Sequence, residues 1–124
     1  MSSAPNYTLH QHQGHHGWNN AFPPQLTIAP GQSVEFEIRD ASGGQLTRES
    51  GVDAVPKIDL GLVNPVTGPV FIDGARPGDA LKVTVLSIAP SGWGWTANIP
   101  GFGLLADQFR EPALHHWTWS APLV

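Results

Sequence analysis

The chain contains no cysteine. That excludes a disulfide framework, a thiolate nucleophile and a Cys-ligated zinc site, and it suits a reducing compartment. Charge is sparse as well: 13% of the 124 residues are charged, with a formal net charge of -4. Lys57, Lys82 and a few scattered arginines make no phosphate-tracking stripe, so nucleic acid is not an expected partner. No stretch approaches the ~18 apolar residues of a membrane-crossing helix. The N-terminal segment MSSAPNYTLHQHQ has neither a basic nor an apolar signal region. The expectation is a soluble, cytoplasmic protein with no membrane partner. Long helices are not expected either. No window of ~11 residues repeats cleanly at 3.6, and Pro56, Pro65, Pro69, Pro77, Pro90, Pro100 and Pro112 interrupt each long candidate. HExxH, GxSxG, the P-loop and GxGxxG are all missing.

What is present is glycine and proline in quantity, 14 and 12, beside 40% hydrophobic residues. A disordered chain is usually poorer in apolar residues and more charged, so this composition describes a folded, turn-rich protein of one domain or part of one. Residues 1–17 are polar and aperiodic, which predicts a flexible N-terminal arm, followed by a β domain over 18–124. Leu26-Thr27-Ile28 is a short strand candidate. In VEFEIRD, Val34, Phe36 and Ile38 alternate with Glu35, Glu37 and Arg39, the period of a half-buried strand. Val70-Phe71-Ile72 and ALKVTVLSI, with Leu81, Val83 and Val85 on one face, predict two more. Each pair of strands is split by a Pro-Gly turn, Pro30-Gly31 and Pro77-Gly78. The two stretches read either as related hairpins in one sheet or as separate uses of a common turn. Leu104 to Phe109 is the best short helical turn. The predicted fold is mainly β, with antiparallel sheets in a sandwich or barrel-like arrangement, Pro/Gly-rich turns and little helix.

Several residues are able to carry chemistry, each with a plainer alternative. His10, His12, His15 and His16 form a loose group, either a solvated arm or a source of metal-ligating nitrogens. His115 and His116 sit beside Trp117 and Trp119, where aromatic packing suffices. Asp40 ends the first alternating strand and suits an Asx turn. Asp59, flanked by Ile58 and Leu60, belongs on an edge strand or in a polar site with partners. Asp73 and Asp79 lie in turns. Trp93 and Trp95 alternate with glycines and so share one strand face, as a cap on the core or as the wall of a pocket.

Three stretches, DASGGQLTRESG (40–51), IDLGLVNPVTGPVFIDGARPGDALKVTVLSI (58–88) and GWGWTANIPGFGLLADQF (92–109), together resemble the N-terminal region of the acetamidase/formamidase family. His15-His16-Gly17-Trp18 with Pro23-Pro24 is similar to that family's opening segment. The resemblance covers about residues 12 to 119. It implies a metal-dependent amidase that hydrolyses short carboxamides such as formamide or acetamide to the acid and ammonia. It also implies a divalent metal, zinc being the first choice, with most ligands outside this chain. Two family motifs of the C-terminal half, of the types His-Gly-Gly-Asn-Met-Asp and Gly-Asp-x-His-Ala-x-x-Gly-x-Gly-Glu, are not in this sequence. The expected protein is therefore a fragment, a split subunit completed by a C-terminal half or second polypeptide, or a degenerate stand-alone domain. Its end at Trp119-Ser120-Ala121-Pro122-Leu123-Val124, without a charged tail, favours the first two. Homo-oligomerisation through exposed apolar surface is a further expectation. Within such an amidase, Asp59 and Asp40 are the candidate catalytic carboxylates, and His15 and Asp59 the candidate metal ligands. Asn64, Thr67, Trp93 and Trp95 are the candidate substrate contacts. The competing expectation is a non-catalytic β-module for assembly or small-ligand binding.

Overall fold

The computed structural model describes residues 4–120. It is mainly β with little helix, as the sequence predicts. Eight strands are present among the described residues: β1 (Tyr7–Leu9), β2 (Gly14–His15), β3 (Leu26–Ile28), β4 (Val34–Phe36), β5 (Val66–Thr67), β6 (Val70–Ile72), β7 (Trp93–Asn98) and β8 (Ala113–Thr118). Two 3₁₀ segments, Val52–Lys57 and Leu60–Leu62, supply the regular helix. At Leu104–Phe109 the expected helical turn is a single one, closed by the Phe109 N–H on the Leu105 carbonyl at 3.0 Å. The chain divides into two compact units: Met1–Gly43 with Gly61–Leu86, and Gly44–Leu60 with Ser87–Val124.

The first unit holds three two-stranded ladders. β1 pairs with β4 in parallel, β3 with β6 in parallel, and β2 with β5 antiparallel. Tyr7–Leu9 and Gly14–His15, within the segment predicted to be an arm, are thus strands with partners, and Leu9 is among the most buried side chains at 2% exposure. The predicted strands at Leu26–Ile28, Val34–Phe36 and Val70–Ile72 are present. The expected hairpins are not. β3 and β4 flank Pro30-Gly31 but join different ladders. The reason lies in the turn. The Gln32 N–H closes on the Ala29 carbonyl at 3.3 Å, with Pro30 second and Gly31, at φ +88°, third. That is type II geometry, whose twist splays the flanking strands instead of pairing them. Pro77-Gly78 repeats it, with the Asp79 N–H on the Arg76 carbonyl at 3.0 Å and Gly78 at φ +97°.

The two similar stretches nevertheless meet in space. Their first strands, β3 and β6, pair in register, Leu26 with Val70, Thr27 with Phe71 and Ile28 with Ile72. The second strand of the later stretch departs from expectation: residues 80–90 enter no ladder among the described residues, and all are exposed.

The second unit is organised by β7 and β8, a six-residue antiparallel ladder running from Trp93–Thr118 to Asn98–Ala113. β8 packs on the Val52–Lys57 segment, where Val55 is fully buried, and Leu46 is 2% exposed.

Candidate functional site

In the first unit the β2–β5 ladder places His15 opposite Val66 and Gly14 opposite Thr67. The Gly68 N–H continues the ladder onto the Gln13 carbonyl at 2.8 Å. The end of this ladder borders a small pocket of ≈ 30 Å³, lined by Gln11, His15, His16, Arg39, Pro65 and Thr67 among others. Two residues singled out in the sequence, His15 and Thr67, therefore face one cavity. Of the others there, His16 belongs to the histidine group read as an arm or as metal ligands, and Arg39 was not singled out. Arg39 is the last outward position of VEFEIRD and looked like ordinary strand polarity.

Hydrogen bonds define what these side chains offer. His15 Nδ1 lies 3.0 Å from the Gly17 carbonyl and His16 Nε2 lies 3.1 Å from the Leu62 carbonyl. A carbonyl only accepts, so these nitrogens carry the protons in the neutral rings, leaving His15 Nε2 and His16 Nδ1 as lone-pair acceptors. The His15 ring is further held against Phe22, centroids 4.7 Å apart. Thr67 donates its hydroxyl to the Glu37 carbonyl at 2.7 Å, so its oxygen can only accept from a bound molecule. Arg39 makes no hydrogen bond or ion pair among the described residues.

Asn64 lies at φ +52°, a left-handed conformation that asparagine tolerates better than most residues, and its N–H reaches the Ala41 carbonyl at 2.8 Å. It fixes the loop that leads into β5. Asp40 accepts from the backbone N–H of Ser42 at 3.1 Å and its hydroxyl at 2.6 Å, the Asx-type turn anticipated from sequence. Nearby, Glu37 Oε2 pairs with His10 Nδ1 at 3.1 Å. The hydrogen bond from His10, followed by that from the Gln11 backbone, holds the Glu37 carboxyl below its ordinary value of 4.5. A lowered carboxyl pKa supports the fold above the ordinary value, and that support is lost as pH falls through the lowered one. Glu37→Gln is accordingly expected to lower stability at neutral pH and to meet the parent at low pH, which flattens its decline below pH 4.5, by a small amount because the pair is exposed. Denaturant midpoints across the acid range measure this, and identical acid limbs would refute it.

The remaining candidates lie in the second unit. Asp59 is exposed, between the two 3₁₀ segments and on no strand. Its backbone is clamped by Gln45, which accepts from the Asp59 N–H at 2.7 Å and donates to its carbonyl at 3.1 Å. Trp93 and Trp95 share a face of β7, as their spacing predicts, with His116 directly opposite Trp95. The Trp93 indole N–H donates to His116 Nδ1 at 3.1 Å, while His116 Nε2 lies 2.9 Å from the Ser50 carbonyl. His116 is thus held as its Nε2-protonated tautomer. Arg48 covers Trp93 at 5.8 Å and donates to the Ser91 carbonyl at 3.0 Å. On the opposite face Gly94 leaves room for the Trp119 ring, which a Cβ would meet at 3.4 Å. This is aromatic packing of the kind expected for His115 and His116, with a polar clamp added. His116→Leu strands the Trp93 N–H and the Ser50 carbonyl, and is expected to destabilise by about 2 kcal/mol. Tryptophan fluorescence during urea unfolding reads the shift, and an unchanged midpoint would count against the clamp.

Among the described residues no three His, Asp or Glu side chains converge to hold a metal ion. His15 and Asp59, the expected ligands, lie in different units. Zinc takes about four donors, so these residues do not by themselves fit a metal centre.

The chain belongs to the acetamidase/formamidase family, whose sequence profile matches residues 3–123. It is 29% identical to an acetamidase of Mycolicibacterium smegmatis over 117 residues, covering 84% of this chain and 29% of that protein. It is 32% identical to a formamidase of Methylophilus methylotrophus over 111 residues, covering 85% of this chain and 27% of that protein. Among solved structures, an acetamidase from Bacillus halodurans superposes with a TM-score of 0.81 at 28% identity, over 92% of this chain and 38% of its own. A gamma lactamase from Delftia acidovorans superposes with a TM-score of 0.73 at 26% identity, over 87% and 28%. The chain thus spans between a quarter and a third of the length of the curated relatives it matches.

Proposed function

We propose that this chain is the N-terminal part or a subunit of a metal-dependent amidase, hydrolysing short carboxamides to the acid and ammonia and inactive without the rest of the family's sequence. The observation that carries the reading is the family match along residues 3–123. The first unit's pocket supports it by scale and chemistry. A volume of ≈ 30 Å³ admits a water or two, in keeping with a substrate of a few atoms. An amide offers a carbonyl acceptor and an N–H donor. Arg39 is free to donate to the former and Thr67 Oγ1 to accept from the latter. His15 Nε2, which keeps its lone pair, would take a proton from an attacking water or serve as one metal ligand, since both roles use that lone pair. The product acid is an anion that Arg39 would also receive. The metal, zinc by expectation, requires further ligands from outside this chain.

A second reading, a non-catalytic β-module used in assembly, is favoured by the exposed apolar run from Leu81 to Ile88. One assay separates the two. Ammonia release from formamide and acetamide is measured with added zinc, for the chain alone and combined with a polypeptide carrying the remaining family sequence. The combined sample is expected to be active and the chain alone silent. Release by the chain alone would sink its incompleteness, and silence of the combined sample would sink the amidase reading.

A further inference from the structure

Residues 80–86 close the first unit and carry strand alternation without a strand partner among the described residues. Leu81, Val83 and Val85 are 64%, 76% and 71% exposed. No hydrogen bond ties residues 80–90 to any described residue. The internal repeat says what belongs there. Aligning the two Pro-Gly turns sets Leu81-Lys82-Val83 on Val34-Glu35-Phe36. The strands ahead of the two turns pair as β3 and β6, Leu26 with Val70, three residues out of step with the turns, so the alignment beyond them rests on Pro30-Gly31 and Pro77-Gly78. In the first copy, Val34–Phe36 takes a parallel partner, β1. In the second copy no described residue takes that partner's place.

The matched relatives are more than three times as long as the matched region, so polypeptide of the right kind exists in the family.

We infer that residues 81–85 form a strand-accepting edge that takes one parallel strand from the polypeptide carrying the remaining amidase sequence. This rests on the reading of the chain as part of an amidase. Backbone bonds along the edge supply affinity, and the apolar face of Leu81, Val83 and Val85 is covered by the incoming layer. Lys82 stands where Glu35 stands in the first copy. Glu35 accepts from the cross-strand Thr8 hydroxyl at 3.3 Å. The reversal of charge predicts a carboxylate or other acceptor opposite Lys82.

The test mixes the full chain with the part of the Methylophilus methylotrophus formamidase outside its match, produced as a separate polypeptide. Complex formation is read by light scattering, and backbone hydrogen exchange is followed residue by residue. Expected are a one-to-one complex and at least ~10-fold slower exchange at alternate amides of 81–85. Proline at Val83 and, separately, at Lys82 removes an N–H from each strand edge in turn. One variant is expected to weaken binding at least ~10-fold, the other much less. No complex, a complex with 81–85 unprotected, or two proline variants that bind alike would each overturn the inference. Protection arising from self-association of the chain alone would assign the edge to a second copy and overturn it too. Ammonia release is measured on the same complex. An inactive complex with protected 81–85 removes the amidase reading and keeps the pairing, while an active complex with unprotected 81–85 does the reverse.

Discussion

Gly43→Ala is expected to destabilise the chain by about 3 kcal/mol and to loosen the wall of the first unit's pocket. Two costs combine. Gly43 has φ +71°, a conformation that costs an L-residue about 1–2 kcal/mol. A Cβ there would also stand 2.5 Å from the Leu62 carbonyl oxygen, a contact that real Cβ atoms do not make. The obstacle is backbone, so it yields only if residues 41–43 and 62–65 move apart. Such movement strains the bond from the Asn64 N–H to the Ala41 carbonyl and that from the Gly43 N–H to the Asp40 carbonyl, each worth about 1 kcal/mol. It also displaces Leu62, whose carbonyl orients His16. Gly31→Ala is the control: its φ is +88°, but a Cβ meets nothing within 4 Å. It should lose only the conformational part. Urea unfolding of both variants measures the difference, and equal losses would remove the steric half of this account.

Local patterns were legible where alternation was regular. Leu26–Ile28, Val34–Phe36, Val70–Ile72 and the Trp93-Gly-Trp95 strand are all where period two puts them. Pairing was not legible, because Pro-Gly marks a turn without stating its twist. A type II turn sends its flanking strands to different partners, so β3 met β6 and β4 met β1. β1 went unread because Tyr7-Thr8-Leu9 is too short to show a period and buries mainly one side chain, Leu9. β8 was hidden by its chemistry: the position opposite Trp95 is His116, a polar residue where the pattern asks for an apolar one. Of the candidate site, His15 and Thr67 were found and do line one pocket. Asn64 and Asp40 shape the loops beside it. Arg39 was missed, since a charge at the end of an alternating strand carries no distinctive spacing, and His16 was read only as one of a loose group of histidines. Their relevance depends on the β2–β5 ladder, which joins residues about 50 apart in the chain and leaves no short-range pattern.

His15→Ala, in the chain combined with the remaining family sequence, is expected to lower kcat/KM for formamide by ~10²–10⁴, the range of a positioned acid–base group. The prediction follows from the ring's two ends. Nδ1 is committed to the Gly17 carbonyl at 3.0 Å, which orients the ring and leaves Nε2 with a lone pair. Phe22 blocks rotation from the side. A ring so held is arranged to use its free nitrogen, and alanine removes both nitrogen and orientation. Loss of packing alone would act differently. Without the imidazole the pocket enlarges and Phe22 loses a neighbour, which raises KM or lowers stability but does not answer to added base. Free imidazole supplied to the His15→Ala variant is therefore expected to restore part of the rate if Nε2 accepts the proton. No rescue, with metal content halved or worse, would mean that the same lone pair serves as a ligand. Full activity of the variant with neither effect would remove His15 from the chemistry and leave Arg39 and Thr67 as the pocket's remaining claim on an amide.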